Sequence, residues 1–279
     1  MKMHPLLRSM LAISRPRFWL YLAGPALVGL AASGAPLQHL ADWRIVLFLL
    51  CWTLPANLFL YGVNDLADAD TDANNPKKSE YEHRLQPSEA KLLTILSCAS
   101  MGIVSVASLL TGALAAVAWT AVFLILGVCY SLPPQRFKAQ AFADSASNIL
   151  YVAPGFAMAG ALGLTPPIDV ILAAWAWAAG MHLFSAIPDI APDKAAGLRT
   201  TAVALGRQDS LLLCLALWFL ADQVVLTIGL SAAGVAGLAY PIIAIVLVAR
   251  PEMRVFDVYR WMPTLNTVVG GILFWSLLL

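Results

Sequence analysis

The chain is 279 residues long, 60% hydrophobic and only 12% charged, against about 25% charged for an ordinary soluble domain. That composition excludes a water-soluble globule. A net charge of +1 provides no basic surface of the kind that nucleic acid requires, so nucleic-acid binding is set aside.

Apolar runs of about 17 to 23 residues recur along the chain, matching the roughly 20 residues a helix needs to cross a bilayer. Nine are found: Phe18–Gly34, Arg44–Val63, Leu92–Leu110, Ala113–Tyr130, Phe142–Leu164, Ile168–Ile187, Leu211–Leu230, Ala232–Ala249 and Pro263–Leu279. Runs of this length without alternation are too long for barrel strands. The expected fold is therefore an all-α integral membrane protein, a bundle of nine transmembrane helices with a cytoplasmic cap of loop helices, forming one domain over residues 1–279. Pro25, Pro55 and Pro154 fall inside expected spans and should kink them. The first run resembles a signal sequence but is read as a retained span, because it continues the alternation of loops.

Basic residues mark the cytoplasmic side. Every Lys and Arg except Arg44 falls before the first run or after the second, fourth, sixth or eighth. The nine-span count is thus self-consistent, with the amino-terminus cytoplasmic, the carboxy-terminus outside and the inner (plasma) membrane as the location. Cys51, Cys98, Cys129 and Cys214 lie within runs and lack Cys-x-x-Cys spacing, so neither a zinc site nor a disulfide framework is indicated. His182, near the cytoplasmic end of the sixth run, reads as a hydrogen-bonded residue rather than a ligand.

The acids are concentrated. Seven of the sixteen carboxylates lie between Asp65 and Glu89, and two more stand at Asp189 and Asp193. In NDLADADTD, residues Asp65, Asp68 and Asp72 are three and then four apart, which places them on one helical face, with Asp70 off it. Asp189 and Asp193 are four apart, each directly after a proline, Pro188 or Pro192, where the helix is expected to break and a new one to start. Such rows repel themselves without a cation, and hard oxygen ligands of this number suit magnesium bridged to substrate phosphates. Arg136, Lys138 and Arg199, near the same ends, are candidates to neutralise the remaining phosphate oxygens. The alternative is a solvated acidic surface balanced by Lys77 and Lys78.

These motifs resemble those of the UbiA-type intramembrane prenyltransferases. The family's Asn-Asp-x-x-Asp-x-x-x-Asp motif stands here as Asn64, Asp65, Asp68 and Asp72, and its second acidic motif as Asp189 and Asp193. Its Tyr-Ser-x-Pro-Pro-x-Arg-x-Lys segment stands as Tyr130, Ser131, Pro133, Pro134, Arg136 and Lys138, and Arg15–Pro16 matches an Arg-Pro pair of the first span. The resemblance implies Mg2+ held by Asn64 and the five aspartates on a prenyl diphosphate, with Arg15, Tyr130, Ser131, Arg136, Lys138 and Arg199 around the diphosphate. The reaction it implies is ionisation of an allylic diphosphate in a water-poor cavity, where aromatic faces steady the cation; Tyr130, Phe59, Tyr61, Tyr151 and Phe184 are candidates. Asp222, in the middle of the seventh run, is a candidate for quenching the final cation or a structural carboxylic acid. Asp144 and Asn148 are placed either at the cavity entrance or in hydrogen bonds between helices.

Within that superfamily the chain is most similar to lycopene elongase-like carotenoid prenyltransferases, through SRPRFWLYLAGPALVG, NDLADADTDANNPKK and HLFSAIPDIAPDKAAGLRTTA. This implies dimethylallyl diphosphate as donor and lycopene, dissolved in membrane lipid, as acceptor. The interior is expected to offer few polar side chains, chiefly Asn57, Asn148 and Asp222, which argues against a phenolic acceptor. An aromatic or quinone-precursor acceptor is the alternative, and a cation transporter a more distant one.

Overall fold

In the computed structural model, residues 5–68 and 89–279 are described, and among them the regular structure is helical. Asp70, Asp72, Lys77, Lys78 and Arg84 lie outside the described residues.

Helix α1 (Pro5–Ser14) ends at Arg15, whose φ of 50° is left-handed, and Pro16 then opens a short 3-10 turn into α2 (Leu20–Ala32). Asp42 caps α3 (Trp43–Trp52) by accepting from the Arg44 backbone N–H at 2.9 Å. Arg44, the exception to the charge asymmetry, also binds the Asp42 side chain and gives a guanidinium hydrogen bond to the Ala161 carbonyl. Its proximity lowers the Asp42 pKa to about 2. The chain breaks at Thr53 and resumes as α4 (Leu54–Ala67), with Pro55 in the first turn. There Asn57 donates to the carbonyls of Trp52 and Thr53, satisfying acceptors at the break.

Next come α5 (Ala90–Leu110) and α6 (Leu114–Ser131), followed by a segment that departs from expectation. The fifth run, read from sequence as one span, is divided into α7 (Ala143–Ala146), a 3-10 turn (Ser147–Tyr151) and α8 (Ala153–Gly160). Pro154 has no N–H to give, and Ser147 and Asn148 donate side-chain hydrogen bonds to the Asp144 carbonyl, so local polar bonds compete with a continuous ladder. The second half holds α9 (Ile168–Ala186), α10 (Ile190–Ala195), α11 (Thr201–Thr227), α12 (Ser231–Gly237), α13 (Ala239–Ala249), α14 (Val255–Tyr259) and α15 (Met262–Leu278). Helix α11 starts ten residues before the seventh apolar run and is interrupted at Gly206, with φ 74° and ψ 178°.

Six helical segments among the described residues have the length and hydropathy to cross a membrane; α2 and α15 are apolar but shorter. Large apolar side chains such as Leu110, Ile125 and Leu220 are at least 60% exposed, the outer surface expected where lipid replaces water. Each half has its own core, the first around Phe48, Trp52, Phe59 and Phe123 and the second around Phe184, Trp218 and Tyr240.

Close approach of α2 and α8 depends on two glycines. A Cβ at Gly29 would lie 2.5 Å from Gly155 Cα, and one at Gly155 would lie 2.8 Å from the Pro25 carbonyl oxygen. Backbone cannot yield as a side chain can. Gly29→Val is therefore expected to destabilise the protein by about 1–3 kcal/mol or more, measured as a lower thermal midpoint in detergent, while Gly24→Val, at a position with open space, is expected to change it far less.

Candidate active site

A cavity of about 580 Å³ opens where the two halves meet, and its wall gathers most of the residues singled out from sequence. From the first half come Arg15, Asn64, Asp68, Tyr130, Arg136 and Lys138. From the second come Asp189 and Asp193.

The first acidic group is positioned by the end of α4. Tyr61, Asn64 and Asp68 are three and four residues apart, so they rise on one face towards the helix terminus, where Asp68 donates its backbone N–H to the Asn64 carbonyl. Lys138 Nζ is 2.6 Å from Asp68 Oδ1 and 3.2 Å from Asn64 Oδ1, and Arg136 is 3.7 Å from the same Asp68 oxygen. Ser131 is fully buried and donates to Asn64 Oδ1 at 3.4 Å. It fixes Asn64 from behind.

Asp65 faces elsewhere. It is 2% exposed, pairs with Arg15 at 2.6 Å and is absent from the cavity wall. Arg15 also lies over the Tyr61 ring at 4.5 Å, a cation–π contact. Arg15 and Arg136 share a further property: both are non-glycine residues with positive φ, 50° and 41°. Such conformations cost on the order of 1–3 kcal/mol each and concentrate at functional sites. In both cases the turn leads into a short 3-10 helix whose start carries the guanidinium to the cavity.

The second acidic group follows the break at Pro188, with Asp189 in a 3-10 turn and Asp193 in α10. Thr200 Oγ1 donates to Asp193 Oδ2 at 3.4 Å and lines the cavity. Arg199 is exposed and outside the wall, and its backbone forms an isolated parallel bridge with Gln140. Sequence reasoning selected the charge, whereas the neighbouring hydroxyl occupies the cavity.

The two walls are tied by Asp144, which is 0% exposed. It accepts from the Ser145 backbone N–H at 2.7 Å, from the Thr201 backbone N–H at 2.7 Å and from the Thr201 hydroxyl. His182 Nε2 lies 3.9 Å away and its ring meets Tyr130 edge-on. Asp144 therefore serves the hydrogen-bonding alternative, joining the segment after Lys138 to the start of α11, while Asn148 lines the cavity.

Below the charged rim the wall is aromatic. Tyr61, Tyr130 and Tyr151 line it as expected, but Phe59 and Phe184 are core residues packed on Phe123 and Trp218. Phe18, Tyr21, Trp177, Tyr259 and Asn266 line it too, and were not identified from sequence. A usable signal was present in the steps of three that join Arg15, Phe18 and Tyr21. Of the three interior polar residues expected, Asn57 is turned to the carbonyls at the break between α3 and α4. Asp222 is likewise off the wall, its Oδ1 lying 2.1 Å from where a Cβ of Gly237 would stand. Its place against α12 fits the structural alternative.

A sequence profile of the UbiA prenyltransferase family matches residues 22–263. The chain belongs to the UbiA prenyltransferase family. It is a prenyltransferase and a multi-pass membrane protein. A relative from Haloferax volcanii, named lycopene elongase/hydratase, is 43% identical and the match covers 92% of this chain and 84% of that one. One of the same name from Halobacterium salinarum is 41% identical over 94% of each. The fold is shared with a UbiA homologue from Archaeoglobus fulgidus solved with DMAPP and Mg2+, with a TM-score of 0.71, 22% identity and coverage of 96% and 97%. In this UbiA-family chain Arg15, Asn64, Asp68, Tyr130, Arg136, Lys138, Asp189 and Asp193 of the family motifs line one cavity, while Asp65 and Ser131 stand behind its wall and Asp72 lies outside the described residues.

Proposed function

We propose that this prenyltransferase transfers a dimethylallyl group from its diphosphate to a terminal double bond of lycopene, with magnesium, and adds water to the extended end. The observation that carries this reading is one cavity with acids and bases at its rim and aromatic rings below. The names of the two archaeal relatives support the acceptor and the hydration.

The rim suits magnesium by the chemistry of its donors. Asn64, Asp68, Asp189 and Asp193 present hard oxygens to the same space, though among the described residues no three His, Cys, Asp or Glu are gathered closely enough to hold a metal by themselves. Magnesium favours such open sites, keeping its waters and bridging one or two carboxylates to phosphate. These four residues, with Asp72, would hold the metal, which when bound neutralises diphosphate oxygens and eases departure of the leaving group. Lys138, Arg136 and Arg15 neutralise oxygens that the metal leaves uncovered, and Asp65 keeps Arg15 in place. Tyr61, Tyr130 and Tyr151 present ring faces to the allylic cation, and the aromatic wall below the rim limits the water that reaches it. A carotenoid is too long to enter a cavity of this volume entirely, so its end enters and the remainder stays in lipid.

A phenolic quinone precursor is the second reading. Asn266 and Tyr21 favour it, as polar groups in an interior expected to have almost none. Membranes containing the protein, given magnesium, dimethylallyl diphosphate and either lycopene or 4-hydroxybenzoate, discriminate the two. Lycopene is expected to be extended and the phenol to remain unchanged; prenylation of the phenol alone would overturn the acceptor while leaving prenyl transfer intact.

The site is proposed to face the cytoplasm of a plasma-membrane protein, with the amino-terminus inside and the carboxy-terminus outside. Single cysteines in a cysteine-free background at Lys138 and Lys194 are then expected to label from the cytoplasmic side, and those at Gln38 and Pro166 from outside. Labelling of Lys138 and Lys194 from opposite faces would contradict this orientation.

A further inference from the structure

At the inner part of the cavity, three helices from different parts of the chain are joined by a directed chain of hydrogen bonds. Trp177 of α9 packs edge-on against the Tyr240 ring, with centroids 6.1 Å apart. Tyr240 donates to Asn266 Oδ1 at 2.8 Å, and Asn266 Nδ2 donates to the Tyr21 oxygen at 3.1 Å. An amide oxygen only accepts and an amide nitrogen only donates, so the Asn266 side chain sets the direction. Tyr240 gives its proton to Asn266 Oδ1, the amide turns its nitrogen to Tyr21, and Tyr21 receives a bond. The Tyr21 proton is left for the cavity, which both Tyr21 and Asn266 line.

This donor stands apart from the diphosphate groups. Tyr21 follows Arg15 by six residues along a 3-10 turn and a helix, roughly 10 Å further in, with its ring stacked on Phe18 at 5.2 Å. A phenolic O–H directed into an aromatic pocket selects a neutral acceptor atom. Away from the diphosphate, neither a dimethylallyl group nor a hydrocarbon polyene has one. Water does.

We infer that Tyr21, oriented by Asn266 and Tyr240, holds the water molecule that captures the carbocation formed on the acceptor, and so determines that the product is an alcohol rather than an alkene. The inference rests on the polyene acceptor proposed above. In the reaction, the terminal double bond of the polyene attacks the allylic carbon as its bond to the diphosphate oxygen breaks, and a tertiary cation remains on the more substituted carbon. The water oxygen accepts from Tyr21 through one lone pair and bonds that carbon through the other; the oxonium proton passes to the released diphosphate. Without a held water, the cation loses a proton from a neighbouring carbon to the same diphosphate and an alkene results. Tyr21 would contact the reacting water, and Asn266 is a positioning residue.

The test is the partition of products in 18O-labelled water, scored as the ratio of hydroxylated to dehydrated extended polyene and normalised to total diphosphate release. The unaltered protein is expected to give mainly alcohol carrying 18O. Tyr21→Phe and Asn266→Leu are each expected to lower the ratio at least tenfold towards alkene. A purely structural role would reduce turnover and leave the ratio alone, so an unchanged ratio in both variants would overturn the inference. Extension by the unaltered protein with no 18O incorporation would also overturn it while sparing prenyl transfer to the polyene. Absence of any polyene extension, with prenylation of a phenol instead, would remove the acceptor reading and the role of Tyr21 together.

Discussion

Asp189→Ala and Asp193→Ala, made singly, are each expected to lower prenyl transfer by about 100-fold or more, beyond the 10–100-fold that loss of outer-shell support alone produces at metal sites. Both residues line the cavity opposite Asn64 and Asp68, and neither is as deeply buried as Asp65. Their removal is therefore expected to leave the protein inserted and folded, so that the loss is read as chemistry. Asp169→Ala provides the comparison, since Asp169 is exposed and only accepts from the neighbouring Val170 N–H in the first turn of α9; it should stay within about twofold, as surface changes usually do. Rates measured across a magnesium titration check the assignment. A loss recovered in full by more magnesium indicates weakened metal affinity, whereas wild-type rates in both variants would remove the second acidic group from the mechanism.

Asp65→Ala is expected to act on stability as well as on turnover. Arg15 is 9% exposed and its 2.6 Å partner Asp65 is 2% exposed; breaking a buried pair by deleting one member costs about 3–5 kcal/mol, because it strands the other charge. Asp65→Asn keeps an acceptor for the guanidinium and should recover part of that loss. The double variant Arg15→Ala/Asp65→Ala should be more stable than Asp65→Ala alone, as a double-mutant cycle in detergent would measure. An unchanged thermal midpoint in Asp65→Ala with activity abolished would indicate a direct contact with the metal instead of support for Arg15.

The difference between Asp65 and Asp68 shows what was legible in the sequence and what was not. Spacing of three and four brings acids to one side of a helix, but that side is wide, and α1 delivers Arg15 to Asp65 while the segment after Tyr130 delivers Lys138 to Asp68. Those deliveries are tertiary. The apolar runs located helices because burial in lipid requires long stretches of one character, and all nine contain helix. Hydropathy could not foresee the division of the fifth run, which follows from Pro154 and from a carboxylate whose partner, Thr201, is 57 residues away. Asn266 is one amide in an apolar helix, and a polar residue in such a setting is itself a signal for a partner on a neighbouring helix.

The central claim is that both acidic groups and the Arg136–Lys138 arm hold one prenyl diphosphate. It is tested most directly by a structure of the protein with manganese in place of magnesium and a non-ionising dimethylallyl thiolodiphosphate, with the metal located by its anomalous scattering. The expected result is metal within about 2.0–2.3 Å of carboxylate oxygens of Asp68 and of Asp189 or Asp193, and a diphosphate between them contacted by Lys138 and Arg136, its hydrocarbon tail pointing towards Tyr21. Metal bound at one acidic group alone, or a diphosphate seated outside the cavity, would contradict it.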